Sequence, residues 1–536
     1  MKVQSTEKKL TQLRIDTIKD EINSCKSGPK SEKISNALIY MIVKDDLPLS
    51  ATDKPGLQKL LQIECLYYEI PGRNKITTLI EHKAEALKLL FQEKLSKIEC
   101  FSLIADVWTD THNSRSFLGC TAHYHFEGKL SEAVLGVKEL QERHTAENIA
   151  KALKSMLEAW KIDIKKVVAV VTDNGSNMVK AVNDLFGSAK GVRCFAHSLN
   201  LVMQELIDKS PEITEIVNKV KKIVTFFKSP TAAAELKKIQ ADAEQTLRLI
   251  QNVPTRWNST FYMLDRFLNI IDYVVSLLIK LDHAPPCLTG QEILSLIELV
   301  NILRPAEIVT KNLSGEKYVT ISDDIFCYYF IINEVKKVEC RSETIKTARS
   351  YLIERMRLRF KGLESHSLIF VAGILDPRYK NSIFPNDDAA YQARKKVIDL
   401  IQKRTPIHQE STPTNSLKPT EKKKSSFYGS QELKNYYQQH IAAKSKNRTT
   451  STTNLDELEF KKFLDSPPQE NENAIEFWTE KKKSAPVLSS IALQHLTIPA
   501  GSVPCERLFS IASHIGNAIR NRLSADQSLP TTEWHF

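Results

Sequence analysis

The sequence has few of the features that place a chain in a membrane or outside the cell. None of the apolar runs in its 536 residues approaches the ~18–20 residues that cross a bilayer. The opening segment MKVQSTEKKL lacks the apolar stretch of a secretory signal peptide. Hydrophobic residues make up 42% of the chain and charged residues 26%, which is the balance of a soluble globular protein. The composition therefore predicts an intracellular protein with no membrane partner.

Paired cysteines are also lacking. The nine cysteines are scattered, their number is odd, and no CxxC pair occurs, which disfavours a disulfide framework and a tandem-cysteine zinc module. Cys194 and His197 form one CxxH pair, but a structural zinc site needs four ligands and no second pair lies nearby in the sequence. We therefore predict reduced thiols and no structural zinc, and we interpret this pair as a buried thiol and a histidine at a helix start.

Positive charge, in contrast, is in excess. The formal net charge is +11, and the sequence isoelectric point is about 9.0. Basic side chains that neutralise phosphates release condensed counterions, so this balance favours a polyanionic partner, and nucleic acid is the commonest one inside a cell. A large basic protein that is simply soluble is the alternative, and the charge alone favours nucleic acid only slightly.

The hydrophobic pattern divides the chain into several units, as its length suggests. Residues 1–99, 211–402 and 456–524 carry apolar side chains at three- and four-residue spacing, which predicts helices. Pro305 is among the prolines that mark loops in the second of these segments. Residues 403–455 are rich in Lys, Ser, Thr, Asn, Gln and Pro and poor in aliphatic residues. Such a segment cannot bury enough apolar surface to offset its ordering entropy, so we predict a flexible linker.

Residues 100–210 have a different pattern. FSLIADVW and KKVVAVVTDNG contain apolar runs that end in Asp106 and Asp173, and they predict buried strands. Between them, residues 116–140 alternate with a period of two and predict a hairpin that turns at Glu127–Gly128. Helices then alternate with strands, which indicates a mixed α/β sheet. We expect the strands that end at the two aspartates to be central neighbours, with both carboxylates at one edge of the sheet.

Six short motifs follow one another between residues 34 and 524. They are IADVWTD, VTDNGSNMVKA, RCFAHSLNL, PTRWNST, LDPRYK and IPAGSVPCERLFSIA. In this order they resemble the hAT superfamily of transposases and its domesticated relatives, above all the vertebrate proteins that join BED fingers to a hAT body. The resemblance implies an α/β ribonuclease-H-like core interrupted by a large all-α insertion. It also implies a helical N-terminal region and a C-terminal hAT dimerisation region that completes the core.

The same resemblance implies a catalytic site. The family's three acids fall on Asp106, Asp173 and Glu506 of this chain. Two-metal phosphoryl transfer uses such carboxylates to hold Mg²⁺ or Mn²⁺ ions roughly 3.5–4 Å apart. Without the resemblance, Asp173 before Asn174–Gly175 fits better as a turn former or helix N-cap, and Glu506 as the partner of a neighbouring helix. We therefore predict Mg²⁺ or Mn²⁺ as cofactor only if the chain is catalytic.

Three further residues are assigned to DNA contacts by the resemblance. Arg256 and Trp257 match the family's RW motif, in which the tryptophan is associated with an unstacked base at the cleaved end. An aromatic face suits that role because bases stack on it. A core tryptophan that caps a helix bundle is an equal alternative. His197 of the CxxH pair lies beside the active site in the family, so it is a candidate for contacting phosphate or assisting proton transfer.

The sequence departs from the family near both ends. Residues 1–35 lack the cysteine and histidine spacing of a BED zinc finger, so DNA recognition by that finger is not expected. After NRLS, relatives run on into another helix. Here residues 525–536 have the sequence ADQSLPTTEWHF instead, which we interpret as a divergent tail. These differences favour a degraded or domesticated element, or an incomplete gene model.

Three functional hypotheses follow. The first is a transposase-derived nuclear DNA-binding protein that forms a homodimer or higher homo-oligomer through residues 485–524 and acts in transcriptional regulation. The second is an active metal-dependent DNA transposase that cleaves and transfers strands. The third is a protein-interaction scaffold, similar to SUMO-ligase-like relatives. Basic runs at Lys422–Lys424 and Lys481–Lys483 are compatible with nuclear import or with a solvated surface.

Overall fold

The computed structural model shows a mixed α/β architecture. It describes residues 23–24, 26–45, 47–110, 114–242, 244–253, 256–314, 321–363, 366–404, 430–441, 455–505 and 507–509. Within those ranges the strands form one five-stranded sheet, and helices pack on both of its faces. No helix in the same ranges has the length and apolar character needed to cross a membrane.

The elements follow one another in four groups. Helices precede the sheet at α1 (Pro29–Lys44), α2 (Pro55–Glu64) and α3 (Arg73–Ser96). The sheet region contains β1 (Phe101–Asp110), β2 (Arg115–Phe126), β3 (Lys129–Glu139), α4 (Ala146–Ala159), β4 (Val167–Thr172), α5 (Ser176–Phe186), β5 (Gly191–Arg193) and α6 (Phe195–Lys209). A helical segment then contains α7 (Pro211–Phe226), α8 (Pro230–Ile239), α9 (Trp257–Asn269), α10 (Ile271–Leu278), α11 (Gly290–Leu313), α12 (Asp323–Lys337), α13 (Glu343–Arg359), α14 (Ser367–Leu375) and α15 (Asp387–Arg404). The C-terminal part contains α16 (Gln431–His440), α17 (Leu455–Asp465), α18 (Ala474–Glu480) and α19 (Pro486–Leu496).

The strand order in the sheet is β3-β2-β1-β4-β5. The predicted hairpin is confirmed, because β2 and β3 pair antiparallel and Glu127 and Gly128 turn the chain with φ values of 49° and 78°. The predicted neighbours are confirmed as well, because β1 pairs parallel with β4 in the centre of the sheet. One detail of the prediction is wrong: β1 does not end at Asp106 but continues to Asp110, because residues 106–110 pair with β2.

Both faces of the sheet are covered, which explains the continuous apolar runs. All six positions of β4 are buried. Leu103 and Val170 belong to a core cluster shared with α4 and α5, whereas Ile104 and Val171 belong to a larger core that extends through the helical segment and the C-terminal helices. A parallel strand covered on both sides by helices has no polar face, so its sequence shows no alternation.

Pro305 corrects one expectation about the helical segment. It lies inside α11 rather than in a loop. A proline within a helix removes one backbone hydrogen bond and usually costs about 3 kcal/mol. Leu303, Ala306 and Val309 of the same helix are fully buried, and this packing stabilises the helix on both sides of the proline.

The expectation of a flexible linker over residues 403–455 is wrong for part of that range. Residues 431–440 form α16, in which Leu433, Tyr436 and Tyr437 are buried. The segment is poor in aliphatic residues, but its tyrosines supply the apolar surface and also a hydrogen-bonding hydroxyl group. Residues 405–429 and 442–454 lie outside the described residues.

The LDPRYK motif joins the helical segment to the C-terminal part. The Arg378 guanidinium is buried and forms ion pairs with Asp376 at 2.5 Å and Asp323 at 3.1 Å. The backbone oxygen of Arg378 accepts a hydrogen bond from the Tyr437 hydroxyl of α16 at 2.7 Å. Lys380 donates from its ammonium group to the backbone oxygen of Phe463 in α17 at 2.7 Å. A single motif therefore connects α12, α14, α16 and α17.

Candidate functional site

The first two predicted acids lie side by side at the central strand pair. The parallel register aligns Ala105 of β1 with Thr172 of β4, so Asp106 and Asp173 are the next residue of each chain segment. Neighbouring strands are about 4.8 Å apart, and both aspartates are partly exposed. The structure therefore brings these two positions together at the carboxyl end of β4.

Local backbone groups orient each carboxylate. Asp106 Oδ1 accepts a hydrogen bond from the Val107 amide at 2.8 Å. Asp173 Oδ1 accepts one from the Gly175 amide at 3.1 Å, which is the turn-forming contact expected when Asn174–Gly175 follows an aspartate. A Cβ atom at Gly175 would lie 3.1 Å from that same oxygen, so glycine allows the backbone to approach the carboxylate closely. The turn-forming role and a ligand role are compatible, because an ionised carboxylate has two accepting oxygens.

The third predicted acid, Glu506, lies outside the described residues. Residues on both sides of it contact β1, the strand that carries Asp106. Cys505 donates from its thiol to the Ile104 carbonyl oxygen at 3.6 Å. The Phe509 ring stacks on Trp108 of β1 with ring centroids 6.1 Å apart. The chain on both sides of position 506 therefore packs against the central strands, and the assignment of Glu506 as an acid of this site stays a prediction.

Cys194 links the sheet, α6 and the C-terminal part. Its thiol is buried, as predicted from the sequence. Burial raises the pKa of this thiol, so the sulfur is protonated at neutral pH. The sulfur accepts hydrogen bonds from the His197 amide at 3.3 Å, from the Ser502 amide at 3.3 Å and from the Ser502 hydroxyl at 3.4 Å. In addition, the Phe195 amide donates to the Ala500 carbonyl oxygen at 3.2 Å. The CxxH cysteine thus caps α6 and holds the IPAGS segment.

His197 lies in the first turn of α6 and is partly buried. This position is at the carboxyl side of β5, on the helix start that Cys194 caps. Its assignment to phosphate contact or proton transfer stays a prediction.

Arg256 and Trp257 lie at the start of α9. Arg256 is the exposed N-cap residue, whereas the Trp257 side chain is only 2% exposed and packs against Phe261 at a centroid distance of 6.2 Å. The Trp257 amide donates to the Asn200 side-chain oxygen of α6 at 3.3 Å. Trp257 therefore has the core position that was one of its two interpretations, and the DNA contacts of both residues stay predictions.

Sequence reasoning missed a hydrogen-bonded chain behind Asp173. The Asn174 side-chain amide donates to the Ser198 hydroxyl at 3.0 Å, and that hydroxyl donates to the Cys194 carbonyl oxygen at 2.9 Å. This chain connects the turn after β4 to the first turn of α6. Each residue belongs to one of the six motifs, so the motif positions were a signal, but nothing in the sequence paired the asparagine with the serine.

The chemistry of the site is that of hard oxygen donors. Two carboxylates on neighbouring strands suit Mg²⁺ or Mn²⁺, since Mg²⁺ uses one or two protein carboxylates and keeps several water ligands. Within the described residues, no group of three or more His, Cys, Asp or Glu side chains has metal-binding geometry. The thiols of Cys194 and Cys505 have raised pKa values through burial, and the charge of Asp106 raises both further. Asp106 and Asp173 therefore fit a divalent ion, whereas these neutral thiols do not.

Comparisons with protein families agree with this layout. Residues 454–529 match the hAT family C-terminal dimerisation region. Residues 192–292 match the ZBED1 RNase-like helical domain, and residues 77–223 match a domain of unknown function, DUF659. Together the three matches include β1 to β5, the start of the helical segment and the helices α17 to α19.

The matches to named relatives cover most of this chain. Zinc finger BED domain-containing protein 4 from Homo sapiens is 24% identical over 93% of this chain and 43% of its own length. The transposable element Hobo transposase from Drosophila melanogaster is 26% identical over 87% of this chain and 77% of its own length. Zinc finger BED domain-containing protein 6 from Homo sapiens is 25% identical over 92% of this chain and 54% of its own length. The chain thus spans about half the length of the two BED proteins. The match to the hAT dimerisation region and the similarity to these relatives support a hAT-superfamily transposase-like protein.

Proposed function

We propose that this protein is a transposase-derived nuclear DNA-binding protein that self-associates through its C-terminal region and acts in transcriptional regulation. The observation that carries the proposal is the alignment of Asp106 with Asp173 at the centre of the sheet. Two partly exposed carboxylates would repel DNA by themselves, but a divalent ion between them and a phosphate reverses that effect. The chain around them carries a net charge of +11, which attracts the rest of a DNA backbone.

The same proposal assigns a ribonuclease-H-like fold to residues 100–210 together with the C-terminal segment. The strand order β3-β2-β1-β4-β5, with three antiparallel strands followed by two parallel ones, supports this assignment. The contacts of Cys505 and Phe509 with β1 support the return of the C-terminal segment to this core.

DNA binding is tested by fluorescence anisotropy with a labelled duplex and the full chain. We expect binding that weakens by a factor of about 10³–10⁵ between 50 and 200 mM salt if roughly 6–10 phosphates are contacted. Failure to bind even at the lower salt concentration would overturn the proposal. A fluorescent fusion protein tests nuclear localisation in the same way, and exclusion from the nucleus would contradict that part.

Self-association is tested by light scattering coupled to size-exclusion chromatography. The match of residues 454–529 to a dimerisation region leads us to expect a mass of at least twice the 60.9 kDa of one chain. A mass of one chain at tens of micromolar protein would contradict this expectation.

Metal-dependent DNA strand cleavage is a second candidate function. Asp106 and Asp173 would hold the ion, and Glu506 is the proposed third ligand. Bound Mg²⁺ or Mn²⁺ would supply activation of the attacking oxygen and stabilisation of the leaving oxygen. The two aspartates, fixed on neighbouring strands, would orient the ion relative to the phosphate, because the sheet holds their backbone positions rigidly.

The test is nicking of a supercoiled plasmid in the presence of Mg²⁺ or Mn²⁺. We expect Asp173→Asn to abolish nicking, since an amide keeps the side-chain shape and loses the charge. Asp184→Asn is the matched control, because Asp184 is exposed on α5 only eleven positions further along. No nicking by the wild-type chain, or equal loss in both variants, would refute the catalytic assignment.

A further inference from the structure

A cavity of about 380 Å³ lies between the sheet and the helical segment. Residues of β5, α5 and α6 form one side, and residues of α12, α13 and α14 form the other. This volume lies within the range of pockets that hold small molecules. Thr172 and Ser198 also line it, so the cavity begins directly behind the turn that carries Asp173.

Asp324 is the most deeply buried polar group in the wall. It is 1% exposed, and its side-chain Oδ1 has no hydrogen-bond partner within the described ranges. Its chain neighbour Asp323, in contrast, pairs with Arg378 at 3.1 Å. Burial, with a smaller effect from the charge of Asp323, raises the pKa of Asp324 well above its usual value. This shift favours the neutral form of the carboxyl group, which presents one O–H donor and one accepting oxygen.

His366 adds a second unsatisfied group. Its Nε2 lies 3.0 Å from the Gly191 carbonyl oxygen, which only accepts, so Nε2 carries the proton. Burial lowers the pKa of the ring, which is consequently neutral. Nδ1 is then an acceptor, and it has no partner in the part of the chain that the structure describes. Within the described residues, Asp324 and His366 therefore each bring one unpaired polar atom to the wall of the cavity.

Two arginines line the same cavity. Arg193 is exposed and Arg359 is partly exposed. Neither guanidinium has an ion pair or hydrogen bond with the residues described here. Guanidinium groups bind phosphate through paired N–H donors. The wall also includes the apolar side chains of Phe195 and Phe360, whose ring centroids are 4.6 Å apart.

We propose that this cavity binds a nucleotide, with the base at Asp324 and His366 and the phosphate at Arg193 and Arg359. A neutral carboxyl group complements the adjacent amino group and ring nitrogen of a nucleobase, because each side offers one donor and one acceptor. The apolar rings accommodate the faces of the base. The exposed guanidinium groups keep the phosphate near solvent, where its charge costs less to hold. This inference does not depend on the metal site or on strand cleavage.

The nucleotide has two sources of identical chemistry, a free mononucleotide and an unstacked nucleotide of a single strand. Isothermal titration of the full chain without divalent metal separates them. The probes are the four nucleoside 5′-monophosphates, adenosine, ribose 5-phosphate and a twelve-residue single-stranded oligonucleotide. We expect at least one monophosphate to bind, and adenosine and ribose 5-phosphate to bind at least about tenfold more weakly, since each lacks one of the two contacts.

Variants identify the site. Asp324→Leu, which keeps the branched shape of the side chain, is expected to weaken the best monophosphate about tenfold because both the donor and the acceptor are lost. The double variant Arg193→Gln, Arg359→Gln is expected to weaken the monophosphate by at least about tenfold and to leave adenosine unchanged. Arg357→Gln is the matched control, because Arg357 is exposed on α13 two positions from Arg359. Thermal unfolding of each variant checks that the fold is retained.

Each outcome decides the proposal. Binding of a monophosphate that Asp324→Leu and the arginine variant both weaken supports a free nucleotide. Binding of the oligonucleotide alone, weakened by the same two changes, supports a strand nucleotide. No binding of either probe at millimolar concentration overturns the proposal, as does binding that is insensitive to these variants or equally sensitive to Arg357→Gln.

Discussion

Removing the buried guanidinium of Arg378 is expected to destabilise the protein strongly. The Arg378 side chain is 2% exposed, and its two carboxylate partners, Asp323 and Asp376, are 1% and 0% exposed. Arg378→Met keeps most of the side-chain volume but leaves two buried negative charges without their cation. Breaking a buried ion pair by removing one partner costs about 3–5 kcal/mol of unfolding free energy. The loss is large relative to the 5–15 kcal/mol stability that is typical of native proteins.

The measurement is urea-induced unfolding followed by tryptophan fluorescence and by circular dichroism. Arg357→Met on the exposed face of α13 is the control, and its effect is expected to lie within about 0.5 kcal/mol of wild type. Adding Asp323→Asn and Asp376→Asn to the Arg378→Met chain is expected to recover part of the loss, because the unpaired charges are removed. A loss no larger than in the control would refute the reasoning, as would the absence of any recovery.

Three further predictions concern stability. Asp324→Asn is expected to stabilise the chain at pH 7–8 and to have no such effect below the ordinary pKa of about 3.8. The reason is that a carboxyl group whose pKa is raised in the folded state loses stability for the fold as pH rises. Thermal unfolding across pH checks this, and a benefit that is independent of pH would contradict it. Gly119→Val is expected to lower the free energy of urea unfolding by about 1–3 kcal/mol, because a Cβ at Gly119 would lie 2.7 Å from the Phe509 ring. Unchanged stability would show that the ring moves freely. Tyr437→Phe is expected to lower the unfolding free energy by about 1 kcal/mol, because the hydrogen bond to the Arg378 carbonyl oxygen is lost. Proteolysis should then cut near α16 more rapidly, and unchanged cleavage would contradict a role of this bond in docking that helix.

The sheet could be predicted from the sequence because its signals are local. A period of two over residues 116–140 indicated the hairpin, and the runs before Asp106 and Asp173 indicated buried strands. The part of β1 beyond Asp106 was missed because its residues are more polar than the run before it. Residues 106–110 stay in the strand because β2 supplies their backbone hydrogen-bond partners.

Long-range contacts could not be predicted in the same way. The Ser502 groups that donate to Cys194 are 308 residues away in sequence, and no periodicity relates the two positions. α16 was missed because two of its three buried residues are tyrosines and only one is aliphatic. Pro305 was assigned to a loop because the packing that keeps α11 intact is tertiary and leaves no local mark.

Several residues of the six motifs have structural contacts that would be needed even in an inactive chain. Cys194 caps α6 and holds Ser502, Trp257 fills the core, and Arg378 neutralises two buried carboxylates. Their presence in this chain is therefore explained by folding alone. Resemblance at these positions supports a common fold but adds nothing in favour of a reaction.

Asp106 and Asp173 differ from these residues in what the fold requires of them. Each is partly exposed and accepts a hydrogen bond from a nearby backbone amide, which an asparagine side chain can also accept. Since an amide satisfies the local contact, only the negative charge distinguishes aspartate from asparagine for metal binding at these positions. Asp173→Asn should therefore unfold like wild type within about 0.5 kcal/mol, so loss of metal-dependent nicking in that variant could not be attributed to misfolding.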